Sequence, residues 1–523
     1  MLVTSNQHKL NIENISDAVF IRLLVAFAIV VALLTYGYEI TNFSLSIDEE
    51  IHSFDAGNWR VWISQGRWGM GVLVYLFPHV LSIIPFLPTF LFAIGLGLSA
   101  VMFSTIFTGS REGGIVFTGI FVTSPIWLHI GEFNTLSWGF ALGLMVTALA
   151  TRYVNAGGIK NSVIAGVCIS FSLAVYQALF IFYLTVVLLI CIKKEWHLVA
   201  NRNSNFFGRN IPIFSDAFKS LIVAVVIYFS MNHFFMYLSG SSLIYLNNFV
   251  NLSAYTNAGG EAALMRVFNQ TKGLLLGTDP TFLGAGIGIA SLVLFWIGLL
   301  FALKNLFDSG ITIITKMYVA VLSIGVILLA MSLILLSAGN IPTRALIAFP
   351  LLYAVLSALT FTYKKGQRIL WLIFSAALFT NIYIATSLFY ADHVARQRDL
   401  VMATRLIDRI EDVGRGPFGG KIPLVVVGQW QHELGGPALR VEIFGDSFFE
   451  HDGGNPYRIA AYLRLLGCRG LVPLPITEIR DELKEIQLRP SWPAQEAVFR
   501  TELAVIVKLS EPTYQQGLAL QAN

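Results

Sequence analysis

Hydrophobic residues in this chain come in long blocks instead of the stripes and alternations of a soluble fold, and most blocks approach the roughly 20 residues that a helix needs to cross a bilayer. They predict spans at 18–40, 85–108, 113–130, 136–152, 161–178, 179–194, 219–238, 281–303, 317–337, 345–363 and 370–390, about eleven in all. The loops between them sort by charge. Lys9, Arg111, Arg152, Lys160, Lys193, Lys194, Arg202, Arg209, Lys219, Lys304, Lys316, Lys364, Lys365 and Arg368 fall in every second loop, which makes those loops and the N-terminus cytoplasmic. The stretch after the first span, segments 131–138 and 337–345, the large loop 239–280 and everything after residue 390 then share the opposite face. The block "GMGVLVYLFPHVLSI" (70–84) is short and carries Pro78 and His79 in its middle. Counting it as a crossing would invert the later loops, so it is expected to be an interfacial or re-entrant piece.

After Tyr390 the pattern changes to that of a soluble α/β domain, 391–523, following a transmembrane domain, 1–390. Residues 392–413 read as a helix leaving the membrane, 422–428 and 503–509 as strands, and 455–467 as an amphipathic helix ending at a glycine.

Composition agrees: 55% hydrophobic and 13% charged residues, with a mean hydropathy of +0.69, place the chain among polytopic membrane proteins. The net charge of +4 is spread over many loops, which gives no case for nucleic acid. Cys168, Cys191 and Cys468 are expected to be free thiols. The mixed, acid-containing N-terminus lacks a clear cleavage site, so the first span is expected to stay as an anchor.

Polar chemistry concentrates in the first loop, 41–69, above all in "SIDEEIHSFDAGNWRVWISQGRW" (46–68). Ser46 and Glu49 have capping-box spacing and predict a helix starting at Ser46, with Asp48 and Glu50 favoured by its dipole. Ile51, Phe54, Trp59 and Trp62 would lay that helix on the membrane surface. Caps alone could account for the acids, but a box needs only one. Three neighbouring carboxylates beside hydrocarbon repel one another, a setting that tunes a group for base catalysis. Other loops of the same face bring Glu132, Asn134, Arg266, Lys272, Asp279 and Arg344. Asp48, His52 and Asp55 share a helical face and raise a metal site, but no fourth ligand is evident and none is expected. Walker, zinc-protease and nucleophile-elbow motifs are absent from the sequence, and no cofactor is expected.

An acid at the outer membrane face, cations nearby and many helices suit transfer from a lipid-phosphate-linked sugar. The lipid lies between helices, cations hold the phosphate, and a carboxylate takes the proton of the acceptor hydroxyl in a single displacement.

The order of parts resembles the GT-C class of membrane glycosyltransferases, and more closely the serotype-converting O-antigen glucosyltransferases of enteric bacteria and their phages. The resemblance rests on "SIDEE" (46–50) with "GRW" (66–68), "AVYQALF" (174–180), "PTRAL" (342–346) and "GDSFFEHDGGNPYRIAAYLRLLG" (445–467). It implies an inner-membrane enzyme with a periplasmic C-terminal domain that uses undecaprenyl phosphate-glucose on the O-antigen of lipopolysaccharide. The donor would be made by a bactoprenol glucosyltransferase and flipped by a small partner protein. Carried onto this chain, Asp48 becomes the expected base, with Glu49 and Glu50 as neighbours or substitutes. Arg67 and Arg344 become candidates for the donor phosphate, through bidentate guanidinium contacts, although headgroup anchoring would also explain them. Tyr176 and Gln177 could bond sugar hydroxyls or another helix, and Trp62 and Trp68 could stack on sugars or sit in the aromatic belt. Asp452, Asn455 and Arg458, in a run rich in acids and rings, could meet the acceptor or form a solvated loop. The rivals are a lipid-sugar or polysaccharide transporter without chemistry, which predicts charges at midplane and an internal repeat, and an O-antigen polymerase, which leans on arginine-rich outer loops.

Overall fold

The computed structural model describes residues 18–54, 59–77, 84–200, 210–242, 250–256, 259–308, 313–362, 366–414, 420–432 and 439–521. Lys9, Asp55, Pro78, His79, Arg202, Arg209, Lys364 and Lys365 lie outside them.

Helices satisfy their own backbone groups, which a segment in lipid must do, and the apolar blocks fold accordingly. In chain order the helices are α1 (Ala18–Thr41), α2 (Glu49–His52), α3 (Trp59–Ser64), α4 (Trp68–Leu76), α5 (Leu87–Phe107), α6 (Arg111–Thr123) and α7 (Leu128–Gly131). There follow α8 (Ser137–Ala156), α9 (Ile159–Val175), α10 (Ala178–Ala200), α11 (Ile211–Ser239), α12 (Gly260–Leu276), α13 (Ala285–Asp308), α14 (Ile313–Leu336), α15 (Ala348–Leu359) and α16 (Gln367–Gly414). Among the described residues seven helical stretches are long and apolar enough to cross a membrane: α1, α5, α6 with α7, α11, α13, α14 and α16. Each of the eleven expected spans falls on helical structure, but four are not among those seven: α8 and α10, and the shorter apolar helices α9 and α15.

The stretch from α6 to α7 is almost wholly buried and runs through the centre of the bundle. Pro125 breaks it: Ser124 before it is extended (ψ 126°), and Pro125 opens a short 3-10 turn. Its end delivers Glu132 and Asn134 to the middle of the bundle's loop end, both 3% exposed. The start of the 70–84 block forms α4, whose nine residues are too few to span a bilayer; α4 packs on α3 and α9.

α16 is one continuous helix of 48 residues, so the last span and the expected helix 392–413 are a single element. Past the membrane-facing part it buries Asp392, Arg396 and Asp399 on one face, then Met402, Leu406 and Ile410.

That second set covers the C-terminal sheet, in which β1 (Ile422–Val427) lies between β2 (Leu471–Pro473) and β4 (Val505–Lys508), both parallel to it, with β3 (Val498–Arg500) antiparallel to β4. Strand alternation divides β1 cleanly. Leu424 and Val426 join a core with α16, while Val425 and Val427 join another with Ile476, Ile479 and Ile506. The first of these cores also contains Ile47, which is 2% exposed. The first loop is thereby anchored in the C-terminal region.

Candidate functional site

Asp48 decides the local structure of the first loop. Its backbone is left-handed (φ 83°, ψ −23°), so the helix expected from Ser46 begins only at Glu49 and runs for four residues. Half of the expected capping box forms: the Ser46 N–H donates to Glu49 Oε2 at 3.1 Å. The continuous surface helix through Trp62 is absent; α2 and α3 are separate pieces, and Trp62 is 7% exposed, stacked on His52 at 6.2 Å.

The three acids meet different surroundings. Glu49 is fully buried and accepts from the Asn134 backbone N–H (2.6 Å) and side-chain amide (3.3 Å) as well as from Ser46, tying the first loop to the central 132–135 loop. Burial outweighs these donors and pushes its carboxyl up to about 8. Glu50 is also buried and pairs with Arg458 Nη1 at 2.7 Å; burial raises it, and Arg458 opposes the rise. Asp48 keeps 46% of its side chain exposed and pairs through Oδ1 with Arg458 Nη2 at 2.6 Å. Burial works against its charge, yet Arg458, His52 and Arg344 together hold its carboxyl below the ordinary aspartate value.

Arg458 reaches this position because of its own local sequence. In "DGGNPYR" the residues Asp452, Gly453 and Gly454 all take positive φ (53°, 70° and 74°). A Cβ on Gly454 would lie 2.1 Å from the Gly428 carbonyl oxygen, so only glycine fits. Asn455 then caps α17 (Pro456–Leu465), accepting from the Tyr457 N–H at 2.9 Å, with proline in the first turn. Arg458 emerges from that turn towards the first loop, and its Nε donates to Asp452 at 2.7 Å.

A second set of groups holds this turn in place. Asp392 accepts from the Gly445 N–H at 2.8 Å, and Asp399 accepts from Ser447 Oγ (2.5 Å), the Phe448 N–H (3.1 Å) and His432 (3.1 Å). Arg396 pairs with Asp399 at 3.1 Å and lies 4.0 Å over the Phe448 ring. Glu132 hydrogen-bonds Asp392, and burial together with the Asp392 charge holds its carboxyl well above the usual range. Glu39, 3% exposed, accepts from the Ser44 N–H at 3.2 Å.

The cations complete the arrangement. Arg67 donates to Gln177 Oε1 at 3.2 Å and lies over the rings of Tyr176 (5.0 Å) and Trp62 (5.9 Å). Gln177 in turn donates to the Gln65 carbonyl at 2.8 Å. The Tyr176 hydroxyl donates to the Arg344 carbonyl at 3.2 Å, and the Arg344 guanidinium lies 4.8 Å over Phe133. Glu442 from the C-terminal region accepts from the Thr343 N–H at 2.9 Å and pairs with buried His129 at 3.4 Å. The structure therefore gathers Asp48, Glu49, Glu50, Trp62, Arg67, Glu132, Tyr176, Gln177, Arg344, Asp452 and Arg458 around one end of the bundle. Four other expected residues have local surroundings of their own. Trp68 stacks on Phe235 at 5.9 Å, Asp279 caps a 3-10 turn through Thr281, Lys272 is exposed on α12, and Asn455 spends its side chain on the α17 cap.

Sequence reading missed Glu39, His129, Asp392, Arg396, Asp399 and Glu442. Spacing carried a signal for three of them, since Asp392, Arg396 and Asp399 recur at helical intervals just beyond an apolar span. Glu39 was visible as a lone acid in the last turn of the first span, where an ionisable side chain is a functional pointer. All three cysteines are free. Among the described residues no group of His, Cys, Asp and Glu could hold a metal ion.

An integral membrane helix bundle with carboxylates and guanidinium groups collected at one end is the class that fold and site define. Residues 37–361 match the family described as Glucosyl transferase GtrII, and the chain belongs to that family of glucosyltransferases. The matched range contains the first loop, Arg67, Glu132, Tyr176 and Arg344, and it ends before α16 and the C-terminal sheet. No curated protein and no solved structure matches the chain.

Proposed function

We propose that this membrane glucosyltransferase moves glucose from undecaprenyl phosphate-glucose to O-antigen repeats of lipopolysaccharide at the periplasmic face of the bacterial inner membrane. Asp48 takes the proton of the acceptor hydroxyl. The acceptor oxygen then forms its bond to the anomeric carbon as the bond from that carbon to the phosphate oxygen breaks, and the electron pair leaves on undecaprenyl phosphate. Arg67 and Arg344 hold that phosphate, which needs no proton to depart.

One observation carries the choice of base. Of the three neighbouring acids, Asp48 alone combines substantial exposure with charged partners that keep it ionised, whereas Glu49 and Glu50 are buried. A general base must be both ionised and within reach of its proton. Single-turnover transfer from radiolabelled undecaprenyl phosphate-glucose, in membranes with matched protein levels, tests it. Asp48→Asn is expected to lose about 10²–10⁴-fold in rate with donor binding retained. Normal transfer by Asp48→Asn overturns the assignment, and loss in Glu50→Gln would move the role to Glu50.

A further inference from the structure

Asp48 precedes α2, yet its carboxylate makes no cap hydrogen bond, and its backbone is in a region that residues with a Cβ seldom adopt. Neither feature serves the four-residue helix. Both turn the side chain towards Arg458, more than 400 positions later in the chain.

Arg458 is equally out of place by local rules. It is a cation in the first turn of a helix, at the positive end of the dipole, and only 11% of its side chain is exposed. It also lies beyond the residues that match the glucosyltransferase family. What it gains there is a fork across the first loop, Nη1 to Glu50 and Nη2 to Asp48, with Nε held by Asp452. The fork occupies Oδ1 of Asp48 and leaves Oδ2 outside the ion pair on a half-exposed side chain.

We infer that Arg458 is a positioning residue for glucosyl transfer: it fixes the Asp48 carboxylate so that its second oxygen faces the acceptor, and the active site is complete only when the turn of the C-terminal region is docked on the first loop. The inference rests on the reading of Asp48 as base. The charged groups that act on Asp48 are Arg458 from the C-terminal region, whose guanidinium Asp452 also holds, Glu50 and His52 from α2, and Arg344 from the 342–346 turn. Removing Arg458 deletes the cation bonded to Asp48 and leaves the repulsion of Glu50 opposed only by His52 and Arg344.

The test measures kcat/KM against pH for transfer from undecaprenyl phosphate-glucose by wild type, Asp48→Asn, Arg458→Gln and Arg458→Lys. Asp48 must be ionised to act, so activity falls as pH drops through its folded value, and raising that value moves the acidic limb upwards. In Arg458→Gln the limb is expected to rise by about 1–3 pH units with donor KM nearly unchanged. Arg458→Lys keeps the charge without the fork and is expected to shift the limb less. A limb unmoved in Arg458→Gln overturns the inference, as does a raised donor KM with the limb in place, which would make Arg458 a phosphate ligand. If Arg458→Gln fails to accumulate in membranes, Arg458→Met, which also removes the charge, decides by the same criterion. Normal transfer by Asp48→Asn overturns the base reading itself, whatever Arg458 does.

Discussion

Asp48, Glu49 and Glu50 are consecutive, but the left-handed backbone at Asp48 sends their carboxyls to solvent and Arg458, to the 132–135 loop, and beneath Arg458. Glu49 is the one that links loop to loop. Its folded value of about 8 lies above its ordinary 4.5. A raised carboxyl contributes stability that is full below pH 4.5 and is lost as pH climbs through about 8. Melting of the detergent-solubilised protein should therefore show wild type losing stability from acid to pH 8 relative to Glu49→Gln, which has no such proton. Parallel curves for the two proteins would mean that folding leaves the Glu49 carboxyl at its ordinary value. Glu49→Gln also replaces one acceptor oxygen by a donor facing N–H groups, so at its optimum it should be less stable by about 1–3 kcal/mol.

At the scale of elements, the turn 342–346 is held by a residue from far along the chain. Glu442, itself at positive φ (51°), accepts the Thr343 N–H and pairs with His129, and so fixes the backbone that presents Arg344. Glu442→Ala strands the Thr343 donor, and it should raise the donor KM several-fold while the pH profile of the transfer step stays put. A shifted profile with KM unchanged would place Glu442 with the proton chemistry instead. The elements themselves were largely legible: the strands at 422 and 505 and the helix after Asn455 follow from apolar runs, a cap and a proline. The surface helix from Ser46 to Trp62 was misread because capping spacing speaks for a helix, and nothing local announces that Asp48 will adopt a left-handed backbone to meet a distant arginine. The pairing of Glu442 with Thr343 was illegible for the same reason, since neither residue's neighbours hint at the other.

For the molecule as a whole, the contact between first loop and C-terminal region is not polar alone. Ile47, directly before Asp48, is buried in the core formed by α16, β1 and α17, so the acidic loop is held on one side by packing and on the other by the Arg458 fork. A bundle that carried its catalytic acid on an untethered loop would pay an ordering cost at every turnover. Anchoring Ile47 places that cost in the folding of the chain. Truncating Ile47 to Ala should therefore destabilise the protein by about 2–5 kcal/mol, the range for emptying a buried aliphatic site. Transfer should also fall, because Asp48 loses its fixed approach to Arg458. The comparison is Ile51→Ala, four residues on, where the residue is 41% exposed and truncation should leave melting almost unchanged. Limited proteolysis of the two variants in detergent separates local loosening from global loss. In Ile47→Ala the first loop and the C-terminal region should become cleavable together while the spans stay protected. Cleavage in the C-terminal region without any change at the first loop would show that the two fold independently and that docking contributes nothing to the site.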